Sequence, residues 1–171
     1  IMLSLSPALP WLGSIGVVNP NYSPIQTASA EIENSTFNQS FDVSAQDDYP
    51  MGLAFNNDGT KMYMAGYSGS IFVYDLPTAF DVSSASYSSS LDVSTQESEP
   101  RDVEFNNDGT KMYVTGTGST DVHEYTLSTA FDTSTASHSS SFDVSGQDSF
   151  PHGLNFNDEG SKMYIVGDSN N

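Results

Sequence analysis

Phe55-Asn56-Asn57-Asp58-Gly59-Thr60-Lys61-Met62-Tyr63 decides the fold, because the chain writes it more than once. It returns unchanged as Phe105 to Tyr113. It returns again, lightly edited, as Phe156-Asn157-Asp158-Glu159-Gly160-Ser161-Lys162-Met163-Tyr164. The offsets, Phe55 to Phe105 and Phe105 to Phe156, are 50 and 51 residues. Self-similarity at this period marks a repeated supersecondary unit.

Working outward, one full copy runs over 41–90, a second over 91–141, and a third begins at Phe142 and covers 142–171 in part. Upstream, Ser35 to Ser40 aligns with Ala85 to Ser90, the tail of a preceding copy. Each full copy predicts four strands. In the first copy these are Met51 to Phe55, Lys61 to Ala65, Ile71 to Leu76 and Ala85 to Val93. The runs are short, aromatic or β-branched, and bounded by Gly, Asn, Asp and Ser. Thr36 to Val43 is the expected fourth strand of the upstream copy. No window holds a helical period. Asn57-Asp58-Gly59 and Asn107-Asp108-Gly109 predict the first hairpin turn, with glycine supplying a positive φ.

The fold class is therefore all-β: β-propeller blades built as four-stranded antiparallel sheets, two complete and two partial. Leu53, Phe55, Met62, Met64, Phe72 and Tyr74 cannot all be buried within one sheet, so neighbouring blades must cover them. A closed propeller takes about four to eight blades. Three readings of the shortfall stand: a fragment, a ring completed by other chains, or an open arc. Open blade edges and the segment 1–34 would then allow a homo-oligomer.

P-x-G-L-x-F-N-N-D-G-T-K-M-Y followed by I-F-V-Y-D-L resembles the blade of lactonase-like and YVTN-type β-propellers. The resemblance covers 36–171. The sequence departs from that pattern at Asn56-Asn57 and Asn106-Asn107, where Ser-Pro is common. It departs again in the long connections Thr78 to Ser90 and Thr129 to Ser141. The shared residues are structural, so the resemblance implies a blade rather than one activity.

The chain has 22 acidic and 4 basic side chains and a formal charge of −18. Such a charge repels phosphate backbones and anionic lipid, which excludes nucleic acid as a partner. There is no cysteine, hence no disulfide or thiolate chemistry. Residues 1–34 read as an extended arm, docking through Trp11, Leu12 and Ile15, or as a signal remnant with Ala28-Ser29-Ala30 as a cleavage-like site. Pro7, Pro10, Gly13 and Gly16 argue against a membrane span there. The composition fits an extracellular or virion-surface setting.

Function is sought where the copies differ. In a propeller, the connection into each inner strand and the loop between the second and third strands share one face. The variable positions there are Tyr49, Met51, Glu99, Arg101, Phe150 and His152, and these form the expected ligand-binding set. Arg101, the sole arginine, reads as an anion contact or as an ion-pair partner of Glu99 or Asp102. His123 and His138 stand where the first copy has Phe72 and Tyr87, and read as packing or rim variants. No cofactor motif occurs, no metal residues are assigned, and no catalytic residues are assigned. Asp47-Asp48 and Asp148 admit calcium without forming an EF-hand. The main expectation is a non-catalytic extracellular binding or structural module presenting variable loops to a protein or glycan. The alternatives are a lactonase-like hydrolase or lyase, with Glu99, Arg101, Asp102 and His152 at the channel mouth, and a self-assembling surface or fibre subunit.

Overall fold

The computed structural model describes residues 2–4 and 36–168. Trp11, Leu12, Ile15, the Ala28-Ser29-Ala30 site and the last loop residues lie outside the described residues. The chain divides into two compact units, Ile1–Phe41 and Asp42–Asn171.

In the first unit, β1 (Met2–Ser4) pairs antiparallel with β2 (Thr36–Gln39), Leu3 opposite Phe37. The strand expected over Thr36 to Val43 is present but shorter, four residues long.

The second unit holds the blades. Blade 1 is β3 (Pro50–Phe55), β4 (Lys61–Gly66), β5 (Ser70–Asp75) and β6 (Ser86–Asp92), hydrogen-bonded in that order. Blade 2 is β7 (Pro100–Phe105), β8 (Lys111–Gly116), β9 (Asp121–Leu127) and β10 (Ala136–Asp143). A third, two-stranded sheet pairs β11 (Pro151–Phe156) with β12 (Met163–Gly167). All pairings are antiparallel.

The repeated nonapeptide has a role at nearly every position. Asn56 Oδ1 accepts the Lys61 N–H at 2.9 Å, and its Nδ2 donates to Thr60 Oγ1 at 3.1 Å. Gly59 has φ 70°, and a Cβ there would overlap the Phe80 ring. Asn57 Nδ2 donates to the Asn107 carbonyl at 2.7 Å, and Asn107 Nδ2 to the Asp158 carbonyl at 3.0 Å. The turn thus closes its own hairpin and ties each blade to the next. Lys61 pairs with Asp75 at 2.6 Å and Lys111 with Glu124 at 2.9 Å across neighbouring strands.

Between blades 1 and 2 lies the main core: Tyr63, Ala65, Ile71 and Val73 from one side, Val103, Met112, Val114, Tyr125 and Leu127 from the other. Tyr63 packs on Phe105 at 4.5 Å between centroids. Tyr113 repeats this on Phe156 at 4.6 Å, beside a second cluster of Val122, Val144 and Leu154. Alternate strand residues therefore face alternate neighbours, as period 2 requires.

Part of the acidity is turn chemistry. Asp42, Asp58, Asp81, Asp92, Asp108, Asp132 and Asp143 each accept the N–H of the Ser or Thr two residues on, which is an Asx-turn. Serine hydrogen bonds hold Asp42, Asp92 and Asp143 below the usual carboxylate range. The backbone N–H of Ser44 is the larger cause for Asp42, and the hydroxyls of Ser94 and Ser145 for the others. Asp58 and Asp108 are lowered first by the hydroxyls of Thr60 and Thr110. A carboxyl lowered on folding adds stability above its unfolded value and loses it as pH falls through the folded one. Thermal melts from pH 6 to pH 2 should therefore show stability falling below about pH 4. Replacing these aspartates by asparagine should flatten that slope.

Candidate functional site

The inner strands begin with a repeated irregularity. Pro50 pairs with Gly66 and Leu53 with Met64; Pro100 pairs with Gly116 and Asp102 with Thr115; Pro151 pairs with Gly167 and Gly153 with Val166. Each inner strand carries one extra residue at this point. Such a bulge re-aims a side chain, and bulges gather beside functional sites. Met51, Arg101 and His152 occupy it, and they are among the positions where the copies differ.

Around Arg101 the side chains converge. Arg101 Nε donates to Thr117 Oγ1 at 3.1 Å, and Nη1 lies 3.5 Å from Met51 Sδ. Its Cζ stands 4.9 Å over the Tyr67 ring centroid, a cation–π geometry. Tyr67 meets Tyr49 edge-on at 6.1 Å. Thr117 Oγ1 donates to Glu99 Oε2 at 2.8 Å. The Tyr67 hydroxyl also bonds Glu99, which pushes that phenol up; the Thr117 hydroxyl, then Tyr67, hold the Glu99 carboxyl down. Among the described residues Arg101 forms no ion pair. Arg101 instead meets a hydroxyl, a sulfur and an aromatic face, its charge still helping to lower Glu99, and one edge of the guanidinium carries no protein acceptor among those residues.

Of the expected set, Tyr49, Met51, Glu99 and Arg101 come together. Phe150 and His152 do not join them through any hydrogen bond or ring contact among the described residues. Phe150 is exposed, with its N–H bonded to Asp148 Oδ1 at 2.8 Å. His152 Nε2 lies 3.8 Å from Asp168 Oδ2. Tyr67 and Thr117 complete the cluster. Their signal in the sequence was their place in the variable loops between second and third strands.

Asp102, counted with the polar group of the enzyme alternative, serves the scaffold. Its Oδ2 accepts the Leu154 N–H at 2.8 Å, and its Oδ1 the Val103 N–H at 3.0 Å. It fills the gap beside Gly52, where a Cβ would stand 2.6 Å from the Asp102 Cα. Burial raises its carboxyl above the usual range.

Beneath the loop face lies a second carboxylate layer. Asp47 accepts the N–H of Tyr49 at 2.7 Å and of Ser68 at 3.0 Å. Glu97 accepts those of Glu99, Gly118 and Ser119 at 2.8, 2.8 and 3.1 Å. Asp148 accepts that of Phe150. These oxygens face backbone N–H donors and so fix the course of the loops. Among the described residues no group of three or more His, Asp or Glu side chains could hold a metal ion. No helix there is long and apolar enough to cross a membrane.

Two cavities open at the opposite, turn end of the blades. One of about 470 Å³ lies between blade 2 and β11–β12, the other of about 270 Å³ between blades 1 and 2. Glu104 lines both, its carboxyl pushed up to about 7 by burial and then by Asp102. The amides of Asn106 and Asn157 are bonded within their own hairpins, and Asn107 bridges to Asp158. The asparagines of that lining therefore hold the fold, and the variable positions converge instead at the mouth around Arg101.

Solved structures share this architecture. A protein from Bacteroides uniformis, described as a "putative 6-phosphogluconolactonase", matches with TM-score 0.55 and 12% identity over 69% of this chain and 33% of its own. A counterpart from Bacteroides fragilis with the same description matches with TM-score 0.53 and 13% identity over 68% and 31%. The chain spans about a third of the length of these neighbours. No family model and no curated protein matches the sequence. The likeness is one of fold, and it agrees with the lactonase-like part of the resemblance; the YVTN part gains no support. It also corrects the main functional expectation. Both neighbours carry the name of a lactonase rather than of a non-catalytic module, and the lactonase-like alternative is the one they favour.

Proposed function

We propose that this chain contributes to a lactonase-like propeller hydrolase acting on the lactone of a sugar acid. The observation that carries the reading is the guanidinium of Arg101. Tyr67 and Thr117 hold it on the loop face with one edge free of protein acceptors among the described residues. Lactone hydrolysis needs an electrophile for the carbonyl oxygen and a base for the attacking water. Arg101 fits the first role, because a guanidinium stabilises an oxyanion through fixed donors. His152, at the position on the next inner strand equivalent to Arg101 and with its Nε2 3.8 Å from Asp168, is assigned the second role, since an imidazole can act as general base to a water held between it and the carbonyl. The water oxygen attacks the carbonyl carbon and its proton passes to His152. The ring C–O bond breaks, and the proton returns to the ring oxygen. Glu99 is a poor base, because its carboxyl is held down by two hydroxyls; its role is to position Thr117 and Tyr67.

The charge of −18 fits this substrate. A neutral lactone meets no barrier, whereas the aldonate product is an anion that the field drives out.

Titration calorimetry with an aldonate, the ring-opened product, tests the Arg101 role. Charge-assisted hydrogen bonds contribute about 1.5–3 kcal/mol, so Arg101→Ala should weaken binding roughly tenfold to a hundredfold. Arg101→Lys should recover little, lacking the planar fork. Equal affinity in the wild type and in Arg101→Ala would remove Arg101 from the site.

A further inference from the structure

Blade 2 carries a polar chain that blade 1 lacks. Glu97 Oε2 accepts from Ser119 Oγ at 2.8 Å, and Ser119 Oγ lies 3.0 Å from His123 Nε2. His123 Nδ1 lies 2.8 Å from Ser141 Oγ, which in turn lies 3.1 Å from His138 Nε2. The chain starts at a carboxylate with 0% exposure, passes a histidine with 3%, and ends at an exposed histidine on β10. The equivalent positions in blade 1 are Phe72 and Tyr87. His123 and His138 are thus more than packing variants.

We infer that His123 is a proton-responsive positioning residue for the loop that seats Arg101. The links are short. His123 bonds Ser119; Ser119 and Gly118 are held by Glu97; Glu97 also holds the N–H of Glu99. Glu99 and Thr117 are bonded to each other, and Thr117 holds Arg101.

The bookkeeping of protons makes the chain two-state. Ser119 gives its one proton to Glu97, so a neutral His123 donates from Nε2 and accepts from Ser141 at Nδ1. Protonation places a second N–H at Nδ1. Ser141 must then accept it, so its hydroxyl must reorient. The two rings stand 5.8 Å apart, so charge on His138 opposes charge on His123. The groups facing His123 are Asp121 on its own strand, Glu97 and the Gln96 carbonyl from the connection before β7, and His138 from β10; Val114 faces it across the β8 pairing. Burial is the largest influence and holds the imidazole below its ordinary value, with His138 adding to it against Asp121 and Glu97.

For its catalytic consequence this inference rests on the lactonase-like reading of the mouth; the coupling itself does not. NMR of the full chain from pH 8 to pH 5 tests it without turnover. The His123 ring signals should titrate below about 6.5. The amides of Glu99, Gly118 and Ser119 should shift with the same midpoint. In His123→Phe, which restores the blade 1 residue, that inflection should vanish. The amides of Tyr49 and Ser68, held by Asp47, should be flat in both proteins. If His123→Phe does not fold, His138→Tyr serves: removing the like charge should raise the midpoint of the ring and of all three amides together. Amides that stay still, that keep their inflection in His123→Phe, or that part from the ring midpoint in His138→Tyr would overturn the inference. A failed lactone assay would overturn the hydrolase reading and leave these shifts as they are.

Discussion

Glu97→Ala should destabilise the protein by about 4 kcal/mol, read from urea unfolding followed by circular dichroism. The side chain has no exposed surface. Its two oxygens accept three backbone N–H groups and the Ser119 hydroxyl. Removing it orphans those donors, at about 1–3 kcal/mol for each one that stays buried. The sum is reduced because water enters the space. Glu97→Gln keeps the shape but points an amide donor at other donors, so about 2 kcal/mol should remain lost. Glu97→Asp is the instructive variant. Blades 1 and 3 have aspartate at this position, Asp47 and Asp148, while the loop of blade 2 carries one extra residue within Thr117 to Asp121. The longer side chain matches the longer loop, and aspartate should fall short of Gly118 and Ser119. A Glu97→Asp protein as stable as wild type would separate the two features.

Tyr63→Ala should cost about 3–5 kcal/mol, the range for removing a buried aromatic. Tyr63 is fully buried between the first two blades, stacked on Phe105, with its hydroxyl donating to the Phe131 carbonyl at 2.6 Å. Tyr63→Phe keeps the ring and removes only that bond, for about 1 kcal/mol. The ratio of the two measures how much of the blade interface is packing. Burial also raises this phenol well above its ordinary range, and pushes Tyr74 and Tyr125 up to about 12. Acidic groups raised on folding lose stability as pH climbs past the unfolded value. Denaturant midpoints should therefore fall above about pH 10, and less steeply in Tyr63→Phe.

The blades were legible because their signals are local and repeated. Asn56 to Gly59 specifies a turn by its own side chains, and the alternation in Lys61 to Gly66 specifies two buried faces. The strand within Thr36 to Val43 was legible by its likeness to the repeat, but its shorter length and its pairing with Met2–Ser4 were not, because the partner is a distant segment with no repeat signature. At the site, the loop face was legible as the place where copies diverge. Two of the partners of Arg101 were not, because Tyr67 and Thr117 come from the loops of two different blades. The His123 chain left a trace in the sequence: two histidines, an inserted loop residue and the change from aspartate to glutamate at Glu97 all fall in one blade. Taken singly, each is an ordinary substitution, and only the fold shows that they touch.

Turnover tests the central claim most directly. Hydrolysis of a neutral sugar-acid lactone should be followed by proton release, with wild type, Arg101→Ala and His152→Ala side by side. The account predicts release above the buffer rate for the wild type, with kcat/KM reduced by about tenfold to a hundredfold in Arg101→Ala, and by about a hundredfold or more in His152→Ala. Wild-type release no faster than buffer, or rates unchanged in both variants, would contradict a lactonase-like site at this mouth.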